Sequence, residues 1–286
     1  MSGILYLCST PIGNLEDISF RAIKTLKEVD LIAAEDTRHS IKLLNYYGIK
    51  TPMTSYHEFN KIEKAKYLIQ KLLDGQNIAL ITDAGTPGIS DPGEELVKQA
   101  HQAGIMVTAV PGACAAISAL ILSGLSTRRF CFEAFLPEDK KERARILEEL
   151  KNESRTIVLY EAPHRLKKTL KELLQTLGDR RITIIKELTK RHETIWQTKL
   201  SEAVDCYEEN EPKGEYVLVL DGISLKELQE KEQKEWHELS LEEHMSIYQE
   251  QGLDKKEAMK AVAKDRGLSK REIYSLLIDD NKAKDG

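Results

Sequence analysis

Several features are missing from this sequence, and each absence removes a class of protein. No run approaches the roughly 18 consecutive apolar residues of a membrane-spanning helix, so no membrane association is expected. The N-terminal apolar stretch Ile4–Cys8 is short and has no basic flank, so it reads as a first strand rather than a signal peptide. Cys8, Cys114, Cys131 and Cys206 stand far apart with no C-x-x-C spacing. They fit reduced, buried thiols of a cytoplasmic protein, not zinc ligands or a disulfide frame, and no metal is expected. There is no G-x-x-x-x-G-K-[ST], so a P-loop NTPase is not supported, and no G-x-G-x-x-G follows the first strand. Neither sign of charge dominates: 42 Lys and Arg against 47 Asp and Glu leave a net −5. A polyanionic partner must therefore be met by local basic patches rather than by the global field.

What is present is ordinary bulk and unusual punctuation. The 286 residues, 41% hydrophobic and 31% charged, suffice for two globular domains and a small third. Short apolar runs alternate with helical patterns up to about residue 125, which predicts a parallel sheet. Four strand ends carry loops rich in small, polar or turn-forming residues: Ser9–Asp17, Glu35–Ser40, Thr82–Gly93 and Pro111–Ala115. In a parallel sheet these emerge at one carboxyl edge and can converge on a single pocket. The third stands out. Asp83, Gly85, Pro87, Gly88, Asp91, Pro92 and Gly93 lie between an apolar strand, Ile78–Ile81, and a helix for which Asp91 is the expected cap. Its glycines let backbone amides approach a ligand, and its prolines hold one shape.

The second half reads as a smaller mixed sheet, with strands at Phe130–Phe135, Thr156–Tyr160, Ile182–Ile185 and 215–221 and a strand at Thr194–Lys199 to pair with one of them. Expected boundaries are 1–130 for a first α/β domain and 131–225 for a second, then a charged linker, 226–238, and a helical module, 239–286. In that module a helix, a glycine turn at Gly267 and a Ser269-capped helix match a helix-turn-helix. Lys255–Arg271 holds seven basic and two acidic residues, including Lys270 and Arg271, which suits phosphates. A docking or dimerisation hairpin fits equally. Arg165–Arg191 carries nine basic and three acidic residues, and Arg128 and Arg129 sit at the domain junction. Arg128, Arg165, Lys190 and Arg191 are thus candidate polyanion contacts, although Lys167, Lys168 and Lys171 also read as a solvated helix face.

The loop sequences STPIGNL (9–15), AEDTR (34–38), TDAGTPGISDPG (82–93), VPG (110–112) and YEAPHR (160–165) together closely resemble the tetrapyrrole-methylase-like superfamily. Within it they are similar to the small-subunit rRNA cytidine 2′-O-methyltransferases. The resemblance spans about residues 3–222 and extends to the helical tail. It implies two α/β domains with S-adenosylmethionine (SAM) in the cleft between them, a homodimer, and a decoding-centre cytidine of 16S rRNA in the small ribosomal subunit as target. The expected SAM residues are Thr10, Pro11, Gly13, Asp83, Gly85, Thr86, Gly88, Ile89, Ser90, Asp91, Pro111, Gly112 and Ala115. Amides at Gly85, Thr86 and Gly88 are suited to a carboxylate, Asp83 to a cation, and the small residues from Pro111 to Ala116 to a nucleoside.

A ribose hydroxyl is a weak nucleophile, and a proton acceptor nearby would help. Asp36, Glu16, Asp17 and Glu193 are the carboxylates available, with Asp36, next to Arg38, favoured; a structural Asp36–Arg38 pair is the competing reading. Two other functions remain open at this point. One is a porphyrin, corrin or diphthine methyltransferase of the same fold, against which the basic second domain and helical tail speak. The other is a SAM-sensing nucleic-acid-binding regulator, for which four convergent loops look over-built.

Overall fold

The computed structural model describes residues 2–284. Strands β1 (Ile4–Cys8), β2 (Leu31–Ala34), β3 (Met53–Ser55), β4 (Ile78–Ile81) and β5 (Met106–Val110) make an all-parallel sheet in the order β3-β2-β4-β1-β5. Helices α1 (Phe20–Glu28), α2 (Thr37–Tyr46), α3 (Lys61–Leu73), α4 (Gly93–Gln102) and α5 (Ala115–Leu122) alternate with them. All four residues of β4 are buried, as expected of a central strand covered on both faces. The strand order places a switch point between β1 and β4: the chain leaves β1 toward β2 on one side, and leaves β4 toward β5 on the other. The loops after β1 and β4 therefore diverge and leave a crevice at the carboxyl edge, where open α/β sheets bind ligands.

The second sheet, in the order β6-β7-β10-β8-β9, comprises β6 (Phe130–Phe135), β7 (Thr156–Glu161), β8 (Arg181–Lys186), β9 (Thr194–Lys199) and β10 (Tyr216–Leu220). Only β6 and β7 run parallel. Its two faces are written in the period-two pattern of β10. Tyr216, Leu218 and Leu220 face the core built with α6 (Lys140–Leu150), α7 (Pro163–Leu177) and α8 (Leu200–Glu209), while Val217 and Val219 pack toward Ala116, Ala119 and Leu120 of α5. Helix α5 thus belongs in sequence to the first half and in packing to the second, and it holds the two halves in register.

A bulge in β6 shifts register between Phe132 and Ala134, with Ala134 at φ +51°. Residues three apart on a regular strand face opposite ways. The bulge instead turns both Phe132 and Phe135 onto the ring of Tyr160, at 4.9 and 5.6 Å between centroids.

The structure departs locally from the sequence reading. The N-cap of α4 is Pro92, not Asp91; the Asp91 carboxylate instead accepts the amides of Gly93 at 2.7 Å and Gly88 at 2.8 Å. Helix α2 begins at Thr37, so most of the expected Glu35–Ser40 loop is its first turn. Strand β3 is too short to show alternation, and α8 follows β9 without a break; neither was legible. The segment read as a charged linker is helix α9 (Leu225–Glu238), closed by a Ser224/Glu227 capping box.

Residues 1–222 form one compact unit, and the chain from residue 223 forms another. In the latter, α9 is followed by α10 (Leu241–Glu250), α11 (Lys255–Asp265) and α12 (Lys270–Lys284). Leu241, Met245, Ala258, Val262 and Ile273 make a small apolar core. His244, fully buried, stacks on Trp236 at 4.0 Å and accepts the Nε–H of Arg266 at Nδ1, 3.1 Å away.

The larger unit carries its own cores, so a chain ending at Gly222 is expected to fold alone. Circular dichroism of that chain should show a cooperative melt. A featureless melt would show instead that the helical unit is part of the larger unit's stability.

Candidate functional site

At the switch point the first two loops are stitched backbone to backbone. Thr10 N–H donates to Gly85 O at 2.8 Å, and Gly85 N–H donates back to Thr10 O at 3.2 Å. The Thr10 hydroxyl, buried, reaches Thr82 O at 3.2 Å. The third loop joins through side chains: the Thr86 hydroxyl donates to Ala113 O at 3.0 Å and lies 3.0 Å from Ser9 Oγ. Gly85 holds φ +85°, a conformation that side-chain-bearing residues adopt only with strain, and a Cβ there would lie 3.2 Å from Ile12.

These loops wall one side of a cavity of about 570 Å³, within the usual range for small-molecule sites. Across it stand Phe135, Tyr160–His164, Ile185, Leu188 and Glu215–Val217 from the second sheet. Behind that far wall lies a buried polar network. Glu161, 2% exposed, accepts the hydroxyl of Thr169 and the amide of Ala162 at 2.9 Å. Thr169 in turn accepts from Arg143 at 2.7 Å, and Arg143 pairs with Glu172 at 2.6 Å. Arg165 closes the set on the carbonyl of Leu136. Every member has a partner, which is the condition under which a buried ionic network rigidifies rather than weakens a fold.

Of the expected SAM residues, Asp83, Gly85, Thr86, Ile89, Ser90, Asp91 and Ala115 line this cavity. Thr10, Pro11 and Gly13 line a neighbouring cavity of about 550 Å³ instead. Pro111 and Gly112 are exposed and Gly88 is half-buried; none of the three lines either cavity. Two of the amides expected to meet a carboxylate are already used, that of Gly85 by Thr10 and that of Gly88 by Asp91. The Thr86 amide makes no internal hydrogen bond among the described residues, and Thr86 lines the cavity.

The donor set fits SAM. Glu35, Asp83 and Asp91 give an acidic wall for a sulfonium and an ammonium, while Ile12, Ile89, Leu188 and Val217 give an apolar one for an adenine. Burial raises the pKa of Asp83 and, despite its two amide donors, that of Asp91. A bound cation beside either carboxylate would offset that cost.

Asp36 and Arg38 lie together, but on each other. The guanidinium grips the carboxylate through Nε at 3.1 Å and the second nitrogen at 2.8 Å. The same carboxylate caps α2 by accepting the Arg38 amide at 2.8 Å. These bonds hold the Asp36 pKa down to about 2, and the side chain lines neither cavity. Its amide donates to Asp83 Oδ1 at 3.1 Å. Among the other expected carboxylates, Glu193 accepts the Thr189 amide at 2.6 Å, and Glu16 and Asp17 lie exposed on a single 3₁₀ turn.

The expected RNA contacts divide. Arg128 precedes β6, whose far end lines the cavity, so it sits at the opposite edge of the sheet. Arg165 is consumed by the buried network. Lys190 bridges Glu187 at 3.0 Å and Glu215 at 2.7 Å. Arg191 is exposed and, with Tyr46 and Asn14, lines an outer extension of the second cavity. Lys270 and Arg271 are exposed on the helical unit. Glu35, Glu161 and His164 lay in quoted motifs without being singled out, whereas Leu188, Glu215 and Tyr46 carried no sequence signal.

Residues 4–204 match the family model described as tetrapyrrole (corrin/porphyrin) methylases. Proteins named ribosomal RNA small subunit methyltransferase I are similar over most of the chain. That of Halalkalibacterium halodurans is 51% identical, covering 96% of this chain and 94% of its own. That of Bacillus subtilis is 49% identical over 95% and 93%. That of Thermotoga maritima is 47% identical over 220 residues, 77% of this chain but 99% of its own. Among solved structures, a diphthine synthase superposes with a TM-score of 0.60 at 14% identity, covering 77% of this chain and 90% of its own. A Thermus thermophilus uroporphyrin-III C-methyltransferase in complex with S-adenosylhomocysteine gives 0.56 at 18%, over 77% and 97%. At such identities the structures speak for the fold alone.

Two outcomes follow from the geometry. A Cβ on Gly13 would sit 2.5 Å from Lys190 Cγ and 2.7 Å from Thr189 Oγ1, so Gly13→Ala must push the β8–β9 loop away. Overpacking of this kind costs roughly 1–3 kcal/mol, and thermal melting should register it; an unchanged melt would mean that the loop yields freely. Arg38→Ala should raise the Asp36 pKa from about 2 toward the ordinary carboxylate range, the remaining helix-cap amide still holding it down in part, read by carboxyl-carbon NMR. A folded pKa held low contributes stability that is present above the unfolded pKa and lost as pH falls toward the folded one. That acid-limb contribution should shrink in the variant.

Proposed function

The chain belongs to the tetrapyrrole (corrin/porphyrin) methylase family, and from that premise we propose that it transfers a methyl group from SAM to the ribose 2′-hydroxyl of a decoding-centre cytidine in 16S rRNA. The observation that carries this reading is the near-full-length likeness to proteins named as small-subunit rRNA methyltransferases. The choice of a cytidine 2′-oxygen rests on the loop motifs. Such a substrate belongs to the cytoplasm and is met as part of the small ribosomal subunit.

Bound in the larger cavity, SAM supplies an electrophilic methyl carbon whose bond to sulfur breaks, the pair staying on sulfur, as the bond to the ribose oxygen forms. The chain's own residues do the rest. The Thr86 amide binds the carboxylate end of the donor, and Glu35 and Asp83 favour its cationic end. Glu35 is itself oriented by the Thr82 hydroxyl, 2.6 Å away. The hydroxyl proton goes to a carboxylate, for which Asp83 suits better than Asp36. Asp83 lines both cavities, and its raised pKa makes it the stronger base; Asp36 is committed to Arg38. Asp36 then serves as a positioning residue, its amide holding the Asp83 carboxylate.

A homodimer is part of the same reading. Helix α5 is apolar on every side, a pattern of helices buried all round. In the single chain it nevertheless leaves Ile117 and, at 68%, Ile121 exposed. Sedimentation of Ile121→Glu should show a monomer where the parent sediments as a dimer; a dimeric variant removes α5 from the interface.

The reading is tested with labelled SAM and small subunits from cells lacking the modification, followed by nucleoside analysis. Label in 2′-O-methylcytidine supports it, and label on a base or in no RNA sinks it. Asp83→Asn should slow single-turnover transfer roughly 10²–10⁴-fold, the usual worth of a general base. In the parent the rate should rise with pH as Asp83 ionises, since only the ionised carboxylate accepts a proton, and then level off; the bound cation sets that step below the raised pKa of the ligand-free site. Asp36→Asn should lower the melting temperature more than the rate. The reverse pattern would return the acceptor role to Asp36.

A further inference from the structure

The second cavity has no task in the scheme above, yet it adjoins the first. Its volume is about 550 Å³, and it shares Ile12, Thr82, Asp83, Ala84 and Glu215 with the larger cavity as a common wall. Its other residues come from the β1 loop, from one face of α2 and from Lys190. Their chemistry differs from that of the acidic, apolar first cavity.

Tyr46, near the end of α2, is 62% exposed for an aromatic side chain that lines a cavity. It is also held in place. Its ring meets Tyr47 edge-on at 4.9 Å and 80°, and the Tyr47 hydroxyl donates to Leu15 O at 2.5 Å. Leu15, itself 37% exposed, lines the same cavity. A fixed aromatic face beside an apolar side chain is the arrangement on which single-stranded bases stack.

Cations surround it. Lys42, one helical turn before Tyr46, lines the cavity, and Arg191 lines the outer extension in which Tyr46 also takes part. Neither Lys42 nor Arg191 makes an ion pair among the described residues, in contrast to Lys190 and Arg38. Two cations without ion pairs among the described residues, lining the same cavities as an exposed ring, suit phosphates that flank a base.

We propose that this second cavity holds a single nucleotide splayed out of the RNA strand, its base on Tyr46, its flanking phosphates at Lys42 and Arg191, and its ribose turned to the Asp83 wall that both cavities share. The inference rests on the function proposed above and deepens it. It explains why two cavities adjoin through a carboxylate. A ribose hydroxyl inside a duplex or a stacked loop cannot reach a methyl donor sunk between two sheets, so the nucleotide has to leave the stack.

The test uses the full chain, labelled SAM and undermodified small subunits. Tyr46→Ala should lower kcat/KM for subunits roughly ten- to hundred-fold, the worth of one base–aromatic stack. The SAM dissociation constant, measured by calorimetry, should stay within about twofold, because Tyr46 does not line the donor cavity. Tyr46→Phe keeps the ring and should keep the rate. Arg191→Ala should lower subunit affinity and flatten its salt dependence by roughly one ion, slope ~0.7 for a single strand. A parent that methylates subunits beside a Tyr46→Ala variant that does so equally well overturns the nucleotide pocket alone. A parent with no transfer to subunits overturns the proposed function, and the pocket with it. Loss of SAM affinity in Tyr46→Ala overturns the division of the two cavities. Tyr46 lies on an exposed helix face, so its variants should melt with the parent; if Tyr46→Ala does not fold, Lys42→Ala carries the same comparison.

Discussion

The pair of backbone hydrogen bonds between Thr10 and Gly85 is the constraint on which the rest of the site depends. Two parallel strands that feed helices on opposite sides of a sheet must splay their loops apart. A crevice so formed is only as well shaped as the loops that edge it. Here one antiparallel bridge closes the base of the crevice and requires the positive φ of Gly85. The hydroxyls of Thr10, Ser9 and Thr86 then tie the loops after β1, β4 and β5 into one rim. The second sheet docks on that rim: Gly13 lets the backbone at Leu188 and the side chains of Thr189 and Lys190 come within 3.0 Å of where its Cβ would stand. Both cavities owe their separation to this docking, because Ile12, Ala84 and Asp83 form the partition.

The three aspartates near the crevice are bonded differently, and the differences separate what each is free to do. Asp91 spends its oxygens on the amides of Gly88 and Gly93, so it shapes the loop. Asp36 spends its oxygens on Arg38 and on capping α2. Asp83 accepts only the amide of Asp36 and an otherwise unfavourable burial, which is why its pKa moves up where that of Asp36 moves down. A carboxylate that is half-buried, under-bonded and open to two cavities is available for chemistry; the other two are already employed.

Much of this was legible in the sequence, and the part that was not has a physical cause. Strand–loop–helix alternation, the four loops and most element boundaries follow from local periodicity and turn chemistry, which act over a few residues. Asp83, Gly85, Thr86 and Asp91 could be placed at the site because loop composition marks backbone that must approach a ligand. The far wall could not. Leu188, Glu215 and Val217 lie on or beside strands whose partners are distant in sequence, and they look like any other sheet residues. Nor can local sequence tell Asp36 from Asp83. Both follow a strand end, and only the fold shows that Arg38 turns back onto its neighbour.

Basic residues make the same point about charge. The stretch Arg165–Arg191 holds nine cations, but four of them serve the fold rather than a partner. Arg165 and Arg180 bond main-chain carbonyls, and Arg181 and Lys190 pair with carboxylates across strands. Lys167 and Lys171 have exposed carboxylate partners, and such pairs are worth at most about 1 kcal/mol, so a phosphate can displace them, whereas Lys168 pairs with the half-buried Glu172 that also holds Arg143. Arg180, held by four carbonyl oxygens, cannot be recruited so cheaply. In a chain of net charge −5, RNA binding as proposed above draws on a few uncommitted cations near the cavities, and Lys270 and Arg271 stand exposed on the helical unit. The Thermotoga maritima relative, matched over 99% of its length by 220 residues, has room for the larger unit and little more. Under the function proposed above, the pocket for the target nucleotide lies within the larger unit, which holds the residues lining both cavities.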